Sequence, residues 1–115
     1  MNTDARIVAM RYYRQAGRSL QDELMALAAN PLGVIVYSPS LVVMMKPVAS
    51  RRMGEWEKLT ESPADADGWY VHLLAGDLQQ ARRMAHLLPE YRWLCFQRGI
   101  RHARPHRLNW HRVRL

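Results

Sequence analysis

Seven arginines and no acid occupy the last 25 residues of this 115-residue chain: Arg92, Arg98, Arg101, Arg104, Arg107, Arg112 and Arg114. Tyr91, Trp93, Phe96 and Trp110 are interleaved with them. Guanidinium groups neutralise phosphates and aromatic faces stack bases, so this mixture has the chemistry of a nucleic-acid or other polyanion contact. Residues 1–90 hold ten acids and ten bases, which leaves the body neutral and puts the whole net charge of +7 at the end. A preference for 15 Arg over 2 Lys can follow from a GC-rich genome, but the lack of acids across that end does not. Arg98, Arg101, Arg104, Arg107 and Arg112 are the candidate anion-binding set. On a hairpin, alternate positions would share one positive face. The plain alternative is a solvated basic edge that deters sheet-to-sheet pairing, with the aromatics pointing into the core on the opposite face.

Other reactive residue types read as structural. Cys95 lies between Leu94 and Phe96 in an apolar run with no local base to activate it, so a buried thiol is expected. His102, His106 and His111 have spacings of four and five, but no nearby acid or cysteine completes a zinc set inside the positive segment. His72, Asp77 and His86 share one β-α unit without a spacing that forces them together. His72 alternates with Trp69, Val71 and Leu73 and is expected to face outward. Arg14-Gln-Ala-Gly17-Arg-Ser19 has the look of a phosphate cradle before a helix, though a break between two helices needs the same residues.

The elements that carry these residues follow from periodicity and punctuation. Asp4 or Thr3 caps a helix over about 4–16, with Ile7, Met10 and Tyr13 or Arg14 in its stripe. Ser19 opens a second helix with Leu20, Leu24, Leu27 and Ala28 inward, and Asn30-Pro31 stops it. Val34–Tyr37 and Leu41–Val48 form a hairpin across Ser38-Pro39-Ser40, both with the continuous apolar character of doubly covered strands. Pro47 should end pairing on one side of the second strand. Ser50 caps a third helix at about 51–60 carrying Met53, Trp56 and Leu59 or Thr60, and an acidic loop runs from Glu61 to Gly68. A strand at 69–74 leads into a helix opened by Asp77, with Leu78, Ala81, Ala85 and Leu88 inward. Strands at about 92–98 and 107–113 close the chain around a loop containing Pro105. The order α-α-β-β-α-β-α-β-β implies an α+β domain over 1–115, with a mixed, mainly antiparallel sheet of about five strands. Residues 69–98 form a β-α-β unit whose right-handed crossover makes its strands parallel if they share the sheet.

That order resembles the N-acetyltransferase superfamily with its first strand missing. The resemblance puts Leu41–Val48 in the place of the strand before the acyl-CoA loop and Ala49–Gly54 in the place of the loop itself. It implies acetyl-CoA as cofactor, with Ser50, Arg51, Arg52 and Gly54 around its pyrophosphate. The family pattern Arg/Gln-x-x-Gly-x-Gly/Ala is met at Arg51 and Gly54, while Glu55 and Trp56 depart from it. A reduced site of this kind is also found in small phage or prophage proteins.

A single cysteine and the lack of a leader-like N-terminus suggest a cytoplasmic protein. No apolar run approaches the length of a membrane span. The expected function is a non-catalytic binding or assembly domain meeting nucleic acid or an acidic protein surface through its Arg-rich C-terminal hairpin. The alternative is an acyl-CoA-binding, acetyltransferase-like protein. Four Trp and seven Met also fit a homo-oligomer.

Overall fold

A computed structural model describes residues 3–57, 63–99 and 108–115, apart from the side chains of 98, 99, 108 and 109. Asp4 caps helix α1 (Ala5–Gln15), its carboxylate accepting from the Arg6 amide at 2.9 Å. The face that α1 buries is Ala5, Ala9 and Tyr13, not the expected stripe, and Ile7 and Met10 stand about 40% exposed. Alanines at successive turns let the helix backbone approach the sheet closely, and their weak hydrophobicity hides that face from a count of large apolar residues. Gly17, at φ 71°, turns the chain out of α1. The Gly17 amide donates to the Arg14 carbonyl and the Arg18 amide to the Tyr13 carbonyl, at 3.0 and 2.8 Å. Those two bonds make a Schellman end.

Ser19 then caps α2 (Leu20–Ala28), accepting from the Asp22 amide at 3.4 Å. Leu20, Glu23 and Leu27 are buried, Leu24 is half-buried, and Ala28 faces solvent rather than the core. The stripe is rotated because Glu23, paired to Arg18, takes an inward position that a hydrophobicity pattern assigns to an apolar residue.

Strands β1 (Val34–Tyr37) and β2 (Leu41–Val48) pair antiparallel from Val34↔Met45 to Tyr37↔Val42. Ser38 closes their turn, its amide donating to the Leu41 carbonyl at 2.9 Å. All eight residues of β2 are buried, whereas β1 is an edge strand of alternating half-buried and exposed residues. Double coverage therefore holds for β2 and fails for β1. Pro47 lies beyond the last β1 partner, so its missing N–H costs no ladder bond on that side.

The helix expected over 51–60 is represented by one 3₁₀ turn, Met53–Glu55, with residues 58–62 outside the described set. Trp56 ends this turn fully buried, its indole N–H donating to the Ala49 carbonyl at 2.9 Å. That anchor, rather than helix propensity, fixes the segment. Strand β3 (Gly68–Gly76) leads into α3 (Leu78–Ala85), capped by Asp77. Helix α3 rests on the sheet through Ala81 and Met84, continued by Leu88 beyond its end, while Leu78 and Ala85 are exposed. Positions i, i+3 and i+7 make as good a stripe as the expected one, turned round the axis. Strands β4 (Trp93–Gly99) and β5 (Leu108–Arg114) complete an α+β fold whose mixed five-stranded sheet has the order β1-β2-β3-β4-β5.

Helices α1 and α2 cover one face of this sheet and α3 the other. Val42, Met44 and Val48 of β2 point to the first face, and Leu41, Val43 and Met45 to the second. Gly76 joins β3 to α3 at φ 111°, where an added Cβ would stand 2.2 Å from the Ser40 carbonyl oxygen. Gly76→Ala is therefore expected to cost about 3 kcal/mol or more. Gly54→Ala, whose Cβ would meet open space, should change stability by less than about 0.5 kcal/mol. Urea-unfolding midpoints at unchanged slope would check the pair.

Candidate functional site

Two regions gather chemistry-bearing side chains, and irregularities of the sheet create the first. β3 and β4 pair in parallel from Gly68↔Trp93 to Val71↔Phe96 and then part. Beyond that point β3 continues with β2 alone and β4 with β5 alone. On the other side of β3, Val71 is the partner of Met45 but Leu73 is the partner of Met44. His72 is thus an extra residue, and this bulge reverses the side-chain alternation around it. Trp69 and Val71 pack on the α3 side, Leu73 on the α1 side, and His72 lines a cavity beneath α1. Alternation does set His72 opposite Trp69 and Val71, but that face is covered by α1, so the histidine expected to face outward is half-buried, and the bulge brings Leu73 to the same side.

The cavity holds about 30 Å³ and is lined by Tyr12, Tyr13, Arg18, Glu57, Tyr70, Val71, His72 and Gln97. That is room for roughly one or two waters. Tyr70 and His72 lie ring to ring at 4.7 Å, and the Lys46 ammonium stands 6.0 Å from the Tyr70 ring. Lys46 is fully buried on β2, and burial pulls its pKa down to about 8, against the opposing pull of Glu57. Burial likewise pushes Tyr13 and Tyr70 above the usual tyrosine range. His72 is held down to about 3, first by burial and then by the positive charges of Lys46 and Arg18. Its Nε2 is buried without a hydrogen-bond partner among the described residues, as is Glu23 Oε2. The other Glu23 oxygen accepts from Arg18 Nε at 2.7 Å, and that guanidinium lies 5.6 Å from the Tyr13 ring centre. Neutral imidazole here offers a hydrogen bond rather than a proton-accepting base. The sequence signal for this cluster is Lys46, a lysine inside the apolar run 41–48.

Asp77 and His86 do not join His72. The Asp77 carboxylate accepts from the Gln79 and Gln80 amides at 2.9 and 3.2 Å, and His86 is the exposed C-cap of α3. The Gly17 and Arg18 amides are used to end α1, so the cradle pattern at 14–19 is a helix break. Cys95 is buried, and its thiol is pushed up to about 12 by that burial. His102 and His106 lie outside the described residues, among which no His, Cys, Asp or Glu group could hold a metal ion. His111 stacks on Phe96 at 5.4 Å.

The segment compared with an acyl-CoA loop connects two antiparallel neighbours, β2 and β3, and its residues already have acidic partners. The Ser50 amide and hydroxyl donate to the Asp67 carboxylate at 2.7 and 2.9 Å. Arg51 pairs with Asp65 at 2.6 Å and Arg52 with Glu55 at 3.5 Å, while Gly54 sits open in the 3₁₀ turn. An incoming phosphate would compete with three carboxylates.

The second region is the β4–β5 pair. Register places Arg114 opposite Trp93, Arg112 opposite Cys95 and Trp110 opposite Gln97 on one face. The Arg112 guanidinium lies 4.6 Å from the Trp93 ring centre, and Trp110 meets Trp56 edge-on at 5.6 Å. Charge and aromatic rings thus share a face, contrary to the expectation that they would separate. The rings reach the core from the same side on which the arginines reach solvent. Arg112 and Arg114 are exposed and take part in none of the ion pairs among the described residues. Arg98 holds a ladder position opposite Asn109, while Arg101, Arg104 and Arg107 lie outside the described residues. Arg114 is absent from the sequence-derived set, although its alternation with Arg112 could have found it. No protein-family model, curated protein or solved structure matches this chain.

A depressed histidine pKa makes a signed prediction. Folding requires neutral His72, whereas the unfolded side chain binds a proton below its ordinary value of 6.5. Its contribution to stability is full above that pH and is lost as pH falls toward the folded value. Denaturation midpoints should therefore decline from pH 6.5 to roughly 5, ahead of carboxylate protonation, and His72→Phe should flatten that decline.

Proposed function

We propose that this chain is a binding or assembly domain that meets an anionic partner through the face of its C-terminal strand. One observation carries the reading: Arg112 and Arg114 project from an edge strand on the same face as Trp93 and Trp110. Among the described residues no strand pairs with the outer side of β5, so a partner can approach there without disturbing the core. A guanidinium resting on an indole loses little freedom on binding, and its N–H fork fits phosphate or carboxylate. Nucleic acid and acidic protein surfaces both meet these terms. A reducing cytoplasm suits the lone buried thiol, and among the described residues no helix is long and apolar enough to cross a membrane. The test is a heparin titration across a series of salt concentrations. Affinity should fall linearly in log–log form, and Arg112→Ala with Arg114→Ala should lower the slope by about one per arginine. Unchanged affinity and slope in the double variant would overturn the reading.

A second reading rests on the parting of β3 and β4. Parallel strands that separate at their C-terminal ends create the setting in which open sheets take small ligands, and the polar cavity lies there. In this reading the chain is acetyltransferase-like and binds acetyl-CoA. Ser50, Arg51, Arg52 and Gly54 are then poor phosphate contacts because of their acidic partners. Binding would raise the melting temperature with cofactor concentration. No rise at millimolar acetyl-CoA would eliminate this reading.

A further inference from the structure

We propose that the anionic partner is single-stranded nucleic acid, seated across Arg112 and Arg114 with a base on the outer face of the Arg112 guanidinium. The proposal rests on the anion-binding reading above and specifies its ligand. Arg112 lies over Trp93 at 4.6 Å and is itself exposed. A guanidinium plane covered on one side by an indole offers its other side as a stacking platform, and Arg planes are used this way against unstacked bases. Arg114 projects from the same face two residues on, about 7 Å along the strand. The two arginines therefore present a stacking plane and a separate phosphate contact along one line. The polyanion is matched in sign: Arg112 and Arg114 enter no ion pair among the described residues.

Geometry favours a single strand over a duplex. At Trp93–Phe96, β4 is bonded to β3 on one side and β5 on the other. A three-stranded width at this point does not enter a major groove about 12 Å wide, which admits a helix or a two-stranded ribbon. Stacking needs bases that are already free.

The experiment is a fluorescence-anisotropy titration of the full chain with labelled oligothymidylate, the matching duplex and heparin, together with quenching of tryptophan emission. Oligothymidylate should bind more tightly than duplex and quench the emission. Arg112→Ala should weaken the oligothymidylate roughly tenfold. Arg112→Lys, which keeps the charge and loses the plane, should lose most of that affinity while keeping its affinity for heparin. Circular dichroism of both variants verifies folding. Equal or tighter duplex binding, or full retention of oligothymidylate affinity by Arg112→Lys, overturns the single-strand proposal while leaving anion binding intact. Heparin binding without any oligonucleotide binding does the same and turns the search to acidic protein surfaces. Failure to bind all three probes removes the anion-binding reading as well.

Discussion

Every residue of β2 is shut off from water, and it has neighbours on both sides, so the remaining elements are largely what covers and pairs this strand. Helices α1 and α2 close over Val42 and Met44, while α3 and the partly buried valines of β1 close over Leu41, Val43 and Met45. Each large aliphatic side chain buried in this way contributes about 1.5–3 kcal/mol. A strand so covered cannot slip by one residue, because slipping would exchange the two faces and break both cores at once. Lys46 is the cost of that arrangement: a cation held in the same wall, its proton affinity lowered by burial.

The cavity follows from how the sheet departs from regularity on either side of β3. An extra residue opposite the Met44–Met45 step sets His72 and Leu73 side by side beneath α1, and loss of pairing after Val71 and Phe96 leaves space beside them. The walls are polar because three tyrosines, two charged residues of the α1–α2 connection and the 3₁₀ region, and Gln97 converge there. Their burial produces the displaced proton affinities, so the electrostatics of this place are a consequence of topology. Nothing local to His72 would produce them.

The C-terminal pair works differently. Its rings belong to the core on their inner edges, with Trp110 against Trp56 and Trp93 beside Cys95, while their outer side carries Arg112. Among the described residues β5 is the last strand of the sheet, so its outer backbone edge meets no further strand there. The neutral body and charged edge meet along β4, which lends rigidity to a positive surface that would be a floppy tail if the strand were not paired.

Element order implied the α+β class, while the structure chose Asp4 over Thr3 as the first cap and put both strands of the β-α-β unit in one sheet. Local signals in the chain were enough to determine the hairpin bounds at Val34–Tyr37 and Leu41–Val48 and the caps at Ser19 and Asp77. Each depends on residues within a few positions of one another: a capping carboxylate, a Pro-Ser turn, a run of β-branched side chains. Tertiary structure decided which helix faces were buried, since Ala5 and Ala9 outrank Ile7 and Met10 only once a sheet lies beneath them. It also set a 3₁₀ turn and the buried Trp56 in the described part of the segment expected as a third helix, and it covered the face of His72 with α1. The position of the positive charge at the chain's end was likewise set by the amino-acid order. Alternation along β5 already sets Trp110, Arg112 and Arg114 on one face, but that Trp93 joins them was decided by the β4–β5 register, because facing across a sheet depends on a partner strand that no local pattern contains.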